Sequence, residues 1–220
     1  MEITTNMQDF AAIANFPRII GAIDGIHIHI KRPKEDEHVY VNRKLFHSLN
    51  IMAVCDAKYR IINFNARYPG SSHDSFVYNN SYIRTRFLNG DFGDGLLLGD
   101  SGYPLEPFLM TPFAHPATNE QERFNRSHKR TRVLVEQCFG VLKNRFRCLH
   151  ISGGELQYKP VKCAKIVIAC FLLHNYCINR NIPNPQNDIN LQEAHEDNPG
   201  GPGVAIGDNI RIEIVQNFFS

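Results

Sequence analysis

The sequence lacks tryptophan, any C-x-x-C pair among its six cysteines, and any uninterrupted run of about 18 apolar residues. The missing run argues against a membrane span; the longest candidate, from 164 to 177, is interrupted by Lys165 and His174. The cysteine spacing argues against a zinc finger or a disulfide framework. No charged segment followed by an apolar one opens the chain, so a reduced intracellular protein is expected.

What is present fits one ordinary globular domain: 220 residues, 43% apolar and 21% charged. We predict this domain over 1–180 and a flexible acidic tail over 181–220. The net charge of +2 hides an asymmetry. Residues 123–147 hold eight Lys or Arg and one acid, whereas residues 182–220 hold six acids and one base. The basic block favours a polyanionic partner.

Apolar patterning predicts strands over 19–30, 46–56, 60–68 and 95–100, with the second and third forming an antiparallel pair. A serine at 71 or 72 is expected to cap a helix that runs to about 88. Two more helices are predicted, at about 126–147 and 160–179. This order of elements is typical of an α/β layered sheet with helices on its faces.

Two acids lie where a charge is costly: Asp24 within an Ile-rich strand, and Asp100 directly after a buried strand. A single acid of this kind is more simply a hydrogen-bonded or ion-paired core residue. Two of them are better explained by a shared site, because the carboxyl ends of strands are where α/β sheets bind ligands.

Glu136 is the one acid among the residues of the basic block. On a helix it lies beside an apolar stripe and in line with four cations, Lys129, Arg132, Lys143 and Arg147. An i, i+4 ion pair with Arg132 would explain one contact but not the surplus of positive charge. A phosphate backbone would neutralise that surplus, so the four cations are candidate phosphate contacts.

Three acids offer the hard oxygen ligands that suit Mg²⁺ or Mn²⁺. With two ions, one activates the attacking water and the other stabilises the leaving oxygen, so the protein needs carboxylates rather than a strong nucleophile. Asp24, Asp100 and Glu136 are therefore candidate ligands of a divalent metal ion in a protein that faces a polyanion.

Four segments resemble the catalytic core of the PIF/Harbinger transposases and of the nucleases derived from them. They are GAIDGIHIHIKRP, NRKLFHSLNIMAVCD with YPGSSHDSFVYNNS, LLLGDSGYPL, and RVLVEQCFGVLKNRFRCL. The resemblance implies an RNase H-like mixed sheet with flanking helices, of the DDE transposase/integrase type. It also implies a catalytic triad of Asp24, Asp100 and Glu136 that hydrolyses DNA by a two-metal mechanism.

The same resemblance implies that Asp74 is a further metal ligand, whereas by itself Asp74 is a first-turn helix acid that complements the helix dipole. It implies a nuclear protein, with a cytoplasmic pool as a second expectation, and a Myb-like DNA-binding partner. Ile26 stands where the family usually has threonine. Family members usually have a helical region before the strand that carries the first Asp of the triad, here Asp24. That region is expected to be absent.

The main alternative is a domesticated protein that binds DNA or a partner without cutting, although the intact triad argues against it. A second alternative is a zinc hydrolase that uses His27 and His29. In a regular strand these two side chains point to the opposite face from Asp24, so packing or polar surface roles are favoured. His73 is expected to be an ordinary loop histidine. Ser71 to Asp74 cannot form a serine hydrolase triad, because consecutive residues cannot meet in space as a triad requires.

Overall fold

The computed structural model describes residues 3–185 and 205–220. The strands are β1 (Ile19–His29), β2 (Ser48–Cys55), β3 (Ile61–Pro69), β4 (Leu96–Leu98) and β5 (Leu109–Met110). The helices are α1 (Ile3–Ala14), α2 (Glu37–Tyr40), α3 (Asp74–Asn79), α4 (Tyr82–Leu88), α5 (Asn119–Arg145), α6 (Pro160–Asn179) and α7 (Ala205–Phe218). Two short 3₁₀ turns, Arg147–Leu149 and Ile151–Gly153, follow α5.

The strands form one mixed sheet in the order β3-β2-β1-β4-β5. β1, β2 and β3 are antiparallel neighbours, whereas β4 runs parallel to β1 and β5 parallel to β4. Helices cover both faces, which is why β1 and β2 consist of long apolar runs rather than alternating patterns. The arrangement confirms the predicted RNase H-like α/β fold and the antiparallel pairing of β2 with β3.

Alternate residues of β1 face different helices. Ile26 packs with Phe139 of α5 and Phe171 of α6 on one face of the sheet. Ile23 packs with Val77 of α3 on the opposite face, where α4 also lies. Successive side chains of β1 therefore point toward different layers, which decides what each residue near Asp24 can contact.

α6 is long and apolar enough to cross a membrane, by length and composition only. Its inner side, which includes Val167, Phe171 and His174, is buried against the rest of the protein. A core helix passes the same length test, so the sequence prediction that no segment spans a membrane stays a prediction.

The predicted helix from 72 to 88 is wrong as a single element, because it breaks at Asn80. The Ser81 side chain accepts a hydrogen bond from the Arg84 backbone N–H at 3.3 Å and begins α4 as its cap. α3 begins directly after His73 and is not capped by Ser71 or Ser72. α5 also starts earlier than predicted, because Thr118 caps it by accepting from the backbone of Gln121.

The predicted flexible tail over 181–220 is wrong for 205–218, where the chain forms α7. Ile214 and Val215 of α7 are buried in an apolar cluster with Phe16, Phe124 and Leu98. Burying this apolar side supplies the free energy that orders the helix. The intervening part of the predicted tail, 186–204, lies outside the described residues.

Candidate functional site

Asp24 and Asp100 lie at the same level of the sheet. β1 and β4 run in parallel with Ala22 opposite Leu98, and each acid lies two residues further along its strand direction. Asp24 is 1% exposed and Asp100 8% exposed. A backbone N–H holds one oxygen of each: that of Gly25 donates to Asp24 Oδ1 and that of Gly102 to Asp100 Oδ1. The sheet register thus brings together the two acids that the sequence predicted to share a site.

Glu136 reaches this region from α5 through Arg132. Asp24 has the same parity as Ala22 and Ile26 of β1, which pack toward α5. Arg132 Nη1 donates to Asp24 Oδ2 at 3.1 Å, and Arg132 Nη2 donates to Glu136 Oε1 at 2.6 Å. The i, i+4 ion pair considered from the sequence is therefore present, and it is extended to the buried acid of β1.

Within residues 3–185 and 205–220, no three acidic, histidine or cysteine side chains stand close enough to bind one metal ion together. The Arg132 guanidinium gives a physical reason, since it lies between Asp24 and Glu136 and already neutralises charge there. The donor set nevertheless consists of the hard carboxylate oxygens that suit Mg²⁺ or Mn²⁺. By the chemistry of their donor atoms the residues fit such an ion, and the metal site remains a prediction.

Asp74 lies against β1 from the side opposite α5. It is the first residue of α3, and a Cβ added to Gly25 would collide with its carboxylate. The buried Asn50 of β2 donates from Nδ2 to Asp74 Oδ1 at 2.7 Å. Asp74 is thus the first-turn helix acid that one reading of the sequence predicted, and its role as a further metal ligand stays a prediction.

Tyr103 is a member of this region that the sequence did not single out. It is 1% exposed and follows Asp100 by three residues. Burial raises its pKa well above the usual value, and the negative charges of Asp74, Asp24 and Asp100 raise it further. The charges of three of the four predicted ligands therefore raise the pKa of one buried side chain, Tyr103.

The four predicted phosphate contacts differ in position. Lys129 is exposed on α5 and keeps that candidate role. Lys143 is only 6% exposed, and the Arg132 side chain is 12% exposed and bound to two acids, so neither lies on an open surface. Arg147 lies beyond the end of α5 and donates to Ser152 Oγ at 2.6 Å. The predicted stripe is wrong for Arg147, because α5 ends at Arg145. Contact of the four cations with phosphate stays a prediction.

The three histidines considered from the sequence contact polar or aromatic side chains. His27 Nδ1 is 3.0 Å from Ser48 Oγ, and the His29 ring stacks on Phe46 with centroids 3.7 Å apart. His73 Nδ1 is 2.6 Å from Arg43 Nη2. These contacts favour the packing and polar roles expected from the sequence over a zinc site.

Two supporting residues were missed, and each carried a weak signal. Asn50 interrupts the apolar run of β2, where a buried amide needs hydrogen-bond partners. Tyr103 closes the short Gly-Asp-Ser-Gly-Tyr segment after β4, where its place next to the acids depends on the turn. Neither signal identifies a partner, because the partners come from other elements.

Comparison with known proteins identifies the family. Residues 23–175 match the model of the DDE superfamily endonuclease family. A mouse protein named "Putative nuclease HARBI1" is 36% identical over 97% of this chain and 62% of its own length. The human protein of that name is 40% identical over 76% of this chain and 48% of its own length. "Protein ALP1-like" of Arabidopsis thaliana is 29% identical over 77% of this chain and 45% of its own length.

The chain thus spans about half the length of the curated relatives it matches. No solved structure matches it. The family match covers both strand acids, the turn that carries Tyr103 and the helix that carries Glu136. The chain belongs to the DDE superfamily endonucleases, in the Harbinger transposase-derived group.

Proposed function

We propose that this protein is a divalent-metal-dependent nuclease that hydrolyses DNA phosphodiester bonds. The observation that carries the proposal is the meeting of acids from three elements: β1 and β4 bring Asp24 and Asp100 to one level, and Arg132 joins Asp24 to Glu136 of α5. Acids on a rigid sheet and a packed helix keep their separation, as an in-line displacement at a phosphate requires.

Asp24 and Asp100 would hold the ion from the sheet, Glu136 would complete the site from α5, and Asp74 would contribute from α3. A bound Mg²⁺ or Mn²⁺ ion would supply Lewis-acid polarisation of the phosphate and a nucleophile at neutral pH. The protein's own contribution is to fix the carboxylates: backbone N–H groups hold one oxygen each of Asp24 and Asp100, and Asn50 holds one oxygen of Asp74. Lys129 would contact the phosphate backbone beside the site.

The test is cleavage of plasmid and linear DNA with Mg²⁺ or Mn²⁺ by the unchanged chain and by Asp24→Asn, Asp100→Asn and Glu136→Gln. Each variant is expected to lose at least about a hundredfold in rate, since each removes a charged ligand. Glu122→Gln is the matched control, because Glu122 is an exposed acid in the first turn of the same helix. Cleavage that survives all three substitutions would reject the triad.

A second candidate, DNA binding without cleavage, is favoured by one observation: Arg132 already occupies the space between two of the acids. The same assay separates the two functions. Retained DNA binding with no cleavage by the unchanged chain in either metal supports the binding protein and removes the nuclease.

We further propose a nuclear location and delivery to DNA by a Myb-like partner, both suggested by the resemblance of the four segments to Harbinger nucleases. Microscopy of a tagged chain checks the first, and a diffuse cytoplasmic signal contradicts it. Pull-down of a purified Myb-like domain checks the second.

A further inference from the structure

The Tyr103 ring is held in one position near three of the candidate acids, Asp24, Asp74 and Asp100, which we call the acid cluster. It packs edge-to-face on Tyr78, with ring centroids 5.9 Å apart. A Cβ added to Gly99 would stand 3.0 Å from the ring, so this glycine leaves the room that the ring occupies. Because the ring is fixed on both sides, the place of its hydroxyl is fixed as well.

The Tyr103 hydroxyl is buried and forms no hydrogen bond with any residue that the structure describes. Tyr78, its neighbour, instead donates to Glu106 Oε2 at 2.9 Å. A buried hydroxyl without a partner is destabilising, and phenylalanine would fill nearly the same volume without that penalty. Packing alone therefore does not account for a tyrosine at this position.

Tyr103 packs on Tyr78, which lies one turn after Asp74 in α3. The negative charges of Asp74, of Asp24 in β1 and of Asp100 after β4 all act on Tyr103. Their charges, together with burial, keep the Tyr103 pKa high, and Asp74 has the largest effect of the three; Arg132 acts in the opposite direction. The Tyr103 hydroxyl can donate a hydrogen bond, whereas a carboxylate can only accept one.

We propose that Tyr103 is a positioning residue of the acid cluster, whose hydroxyl donates to the Asp74 carboxylate and turns it toward Asp24 and Asp100 when a divalent cation binds. Asn50 already holds Asp74 Oδ1 at 2.7 Å from β2. Tyr103 and Asn50 then fix the carboxylate from two elements, as supporting hydrogen bonds do for metal ligands elsewhere. This inference rests on the proposed metal-dependent function.

The experiment measures Mn²⁺ affinity of the full chain by isothermal titration calorimetry, for the unchanged protein, Tyr103→Phe and Tyr78→Phe. Tyr103→Phe is expected to weaken Mn²⁺ binding about three- to tenfold, the loss of one hydrogen bond to a charged group. Its thermal unfolding without metal is expected to be unchanged or to occur at a higher temperature, because a buried unsatisfied hydroxyl is removed. Tyr78→Phe, the matched control, is expected to lose stability and to keep its affinity.

A double-mutant cycle with Asp74→Asn identifies the group through which Tyr103 acts. If the hydroxyl works through Asp74, adding Tyr103→Phe to Asp74→Asn causes little further loss of Mn²⁺ affinity. Full additivity, or unchanged affinity in Tyr103→Phe while the unchanged chain binds Mn²⁺, overturns the inference and leaves the proposed function standing. If the unchanged chain binds neither Mn²⁺ nor Mg²⁺, the proposed function fails and this inference fails with it.

Discussion

Arg132 joins acids from two elements, with Asp24 at 3.1 Å and Glu136 at 2.6 Å from its guanidinium nitrogens. Its side chain is 12% exposed, so this is a largely buried ion pair rather than a surface one. Such a cation has two effects of opposite sign. It stabilises the acids when no metal is present, and it repels a divalent ion that needs the same oxygens.

Replacing Arg132 by glutamine is therefore expected to lower stability and raise metal affinity together. Removing the cation beside the buried Asp24 should lower the free energy of unfolding by up to about 3–5 kcal/mol in metal-free buffer. Added Mn²⁺ should then raise the melting temperature of the variant more than that of the unchanged chain. Thermal unfolding with and without Mn²⁺ measures both.

Arg130→Gln is the control for this pair of effects, because Arg130 is an exposed neighbour on the same helix. It should change neither quantity appreciably. Equal metal-induced shifts in Arg132→Gln and the unchanged chain would show that Arg132 does not compete with a cation.

At the level of the element, the charged side chains of α5 differ in how deeply they are buried. The helix packs Val135, Phe139 and Leu142 against the sheet. Charged residues next to this apolar side are therefore partly buried. Lys129 lies toward solvent, whereas Lys143 is 6% exposed. Two lysines of one helix are therefore expected to have different roles.

Lys129→Ala should weaken DNA binding at low salt and reduce the slope of log affinity against log salt by about one, because one phosphate contact is lost. Lys143→Ala should leave that slope unchanged and lower stability instead, since it empties part of a packed region. Fluorescence anisotropy at several salt concentrations and urea unfolding separate the two. Identical salt slopes for the Lys129 variant and the unchanged chain contradict the assignment.

His128, also on α5, gives the fold a pH dependence. It is 3% exposed, its Nε2 is 3.2 Å from the Met110 carbonyl oxygen, and burial lowers its pKa to about 4 from 6.5. The folded state therefore resists a proton that the unfolded chain accepts. Stability should be fully present above about pH 6.5 and should decline as the pH falls toward 4, by about 1–2 kcal/mol between pH 7 and 5.

The measurement is the free energy of unfolding in urea at pH 7 and 5, for the unchanged chain and for His128→Gln. The variant is expected to be less stable at pH 7 and to depend less on pH, since the buried titrating group is gone. An equal pH dependence in both proteins would assign it to other residues.

At the level of the whole molecule, the two ends of the described chain are held by one apolar cluster. Phe10 of α1 and Ile214 of α7 are both 0% exposed and share this cluster with Phe124 of α5. Since α5 carries Glu136, the packing of α7 supports the helix that the proposed site depends on.

Ile214→Ala should lower the free energy of unfolding by about 2–5 kcal/mol, the usual effect of emptying a fully buried position. Ile212→Ala is the matched control, because Ile212 belongs to the same helix but is 43% exposed, and it should change stability by no more than about 0.5 kcal/mol. Chemical unfolding measures the free energy of unfolding of the two variants and of the unchanged chain. Similar effects would mean that α7 does not pack as described.

Strands β1 to β4, the two long helices and the three candidate acids could be predicted from the sequence, because each depends on local information. Buried strands show as apolar runs, α6 as a long apolar segment, and Glu136 as the lone acid of a basic block. The break at Asn80, the two-residue β5 and α7 could not be predicted in the same way. Each is decided by a cap, by pairing with β4 or by burial against distant residues.

The sequence by itself identified the candidate site residues: acids that offer hard oxygen ligands, in a chain with a basic helix and in an order that resembles the Harbinger nucleases. Only the tertiary structure decided how they meet. The parallel register of β1 with β4 sets Asp24 beside Asp100, and the parity of β1 turns Asp24 toward Arg132 and Gly25 toward Asp74. These contacts join residues far apart in the chain, and no local pattern in a sequence records which distant side chains a fold brings together.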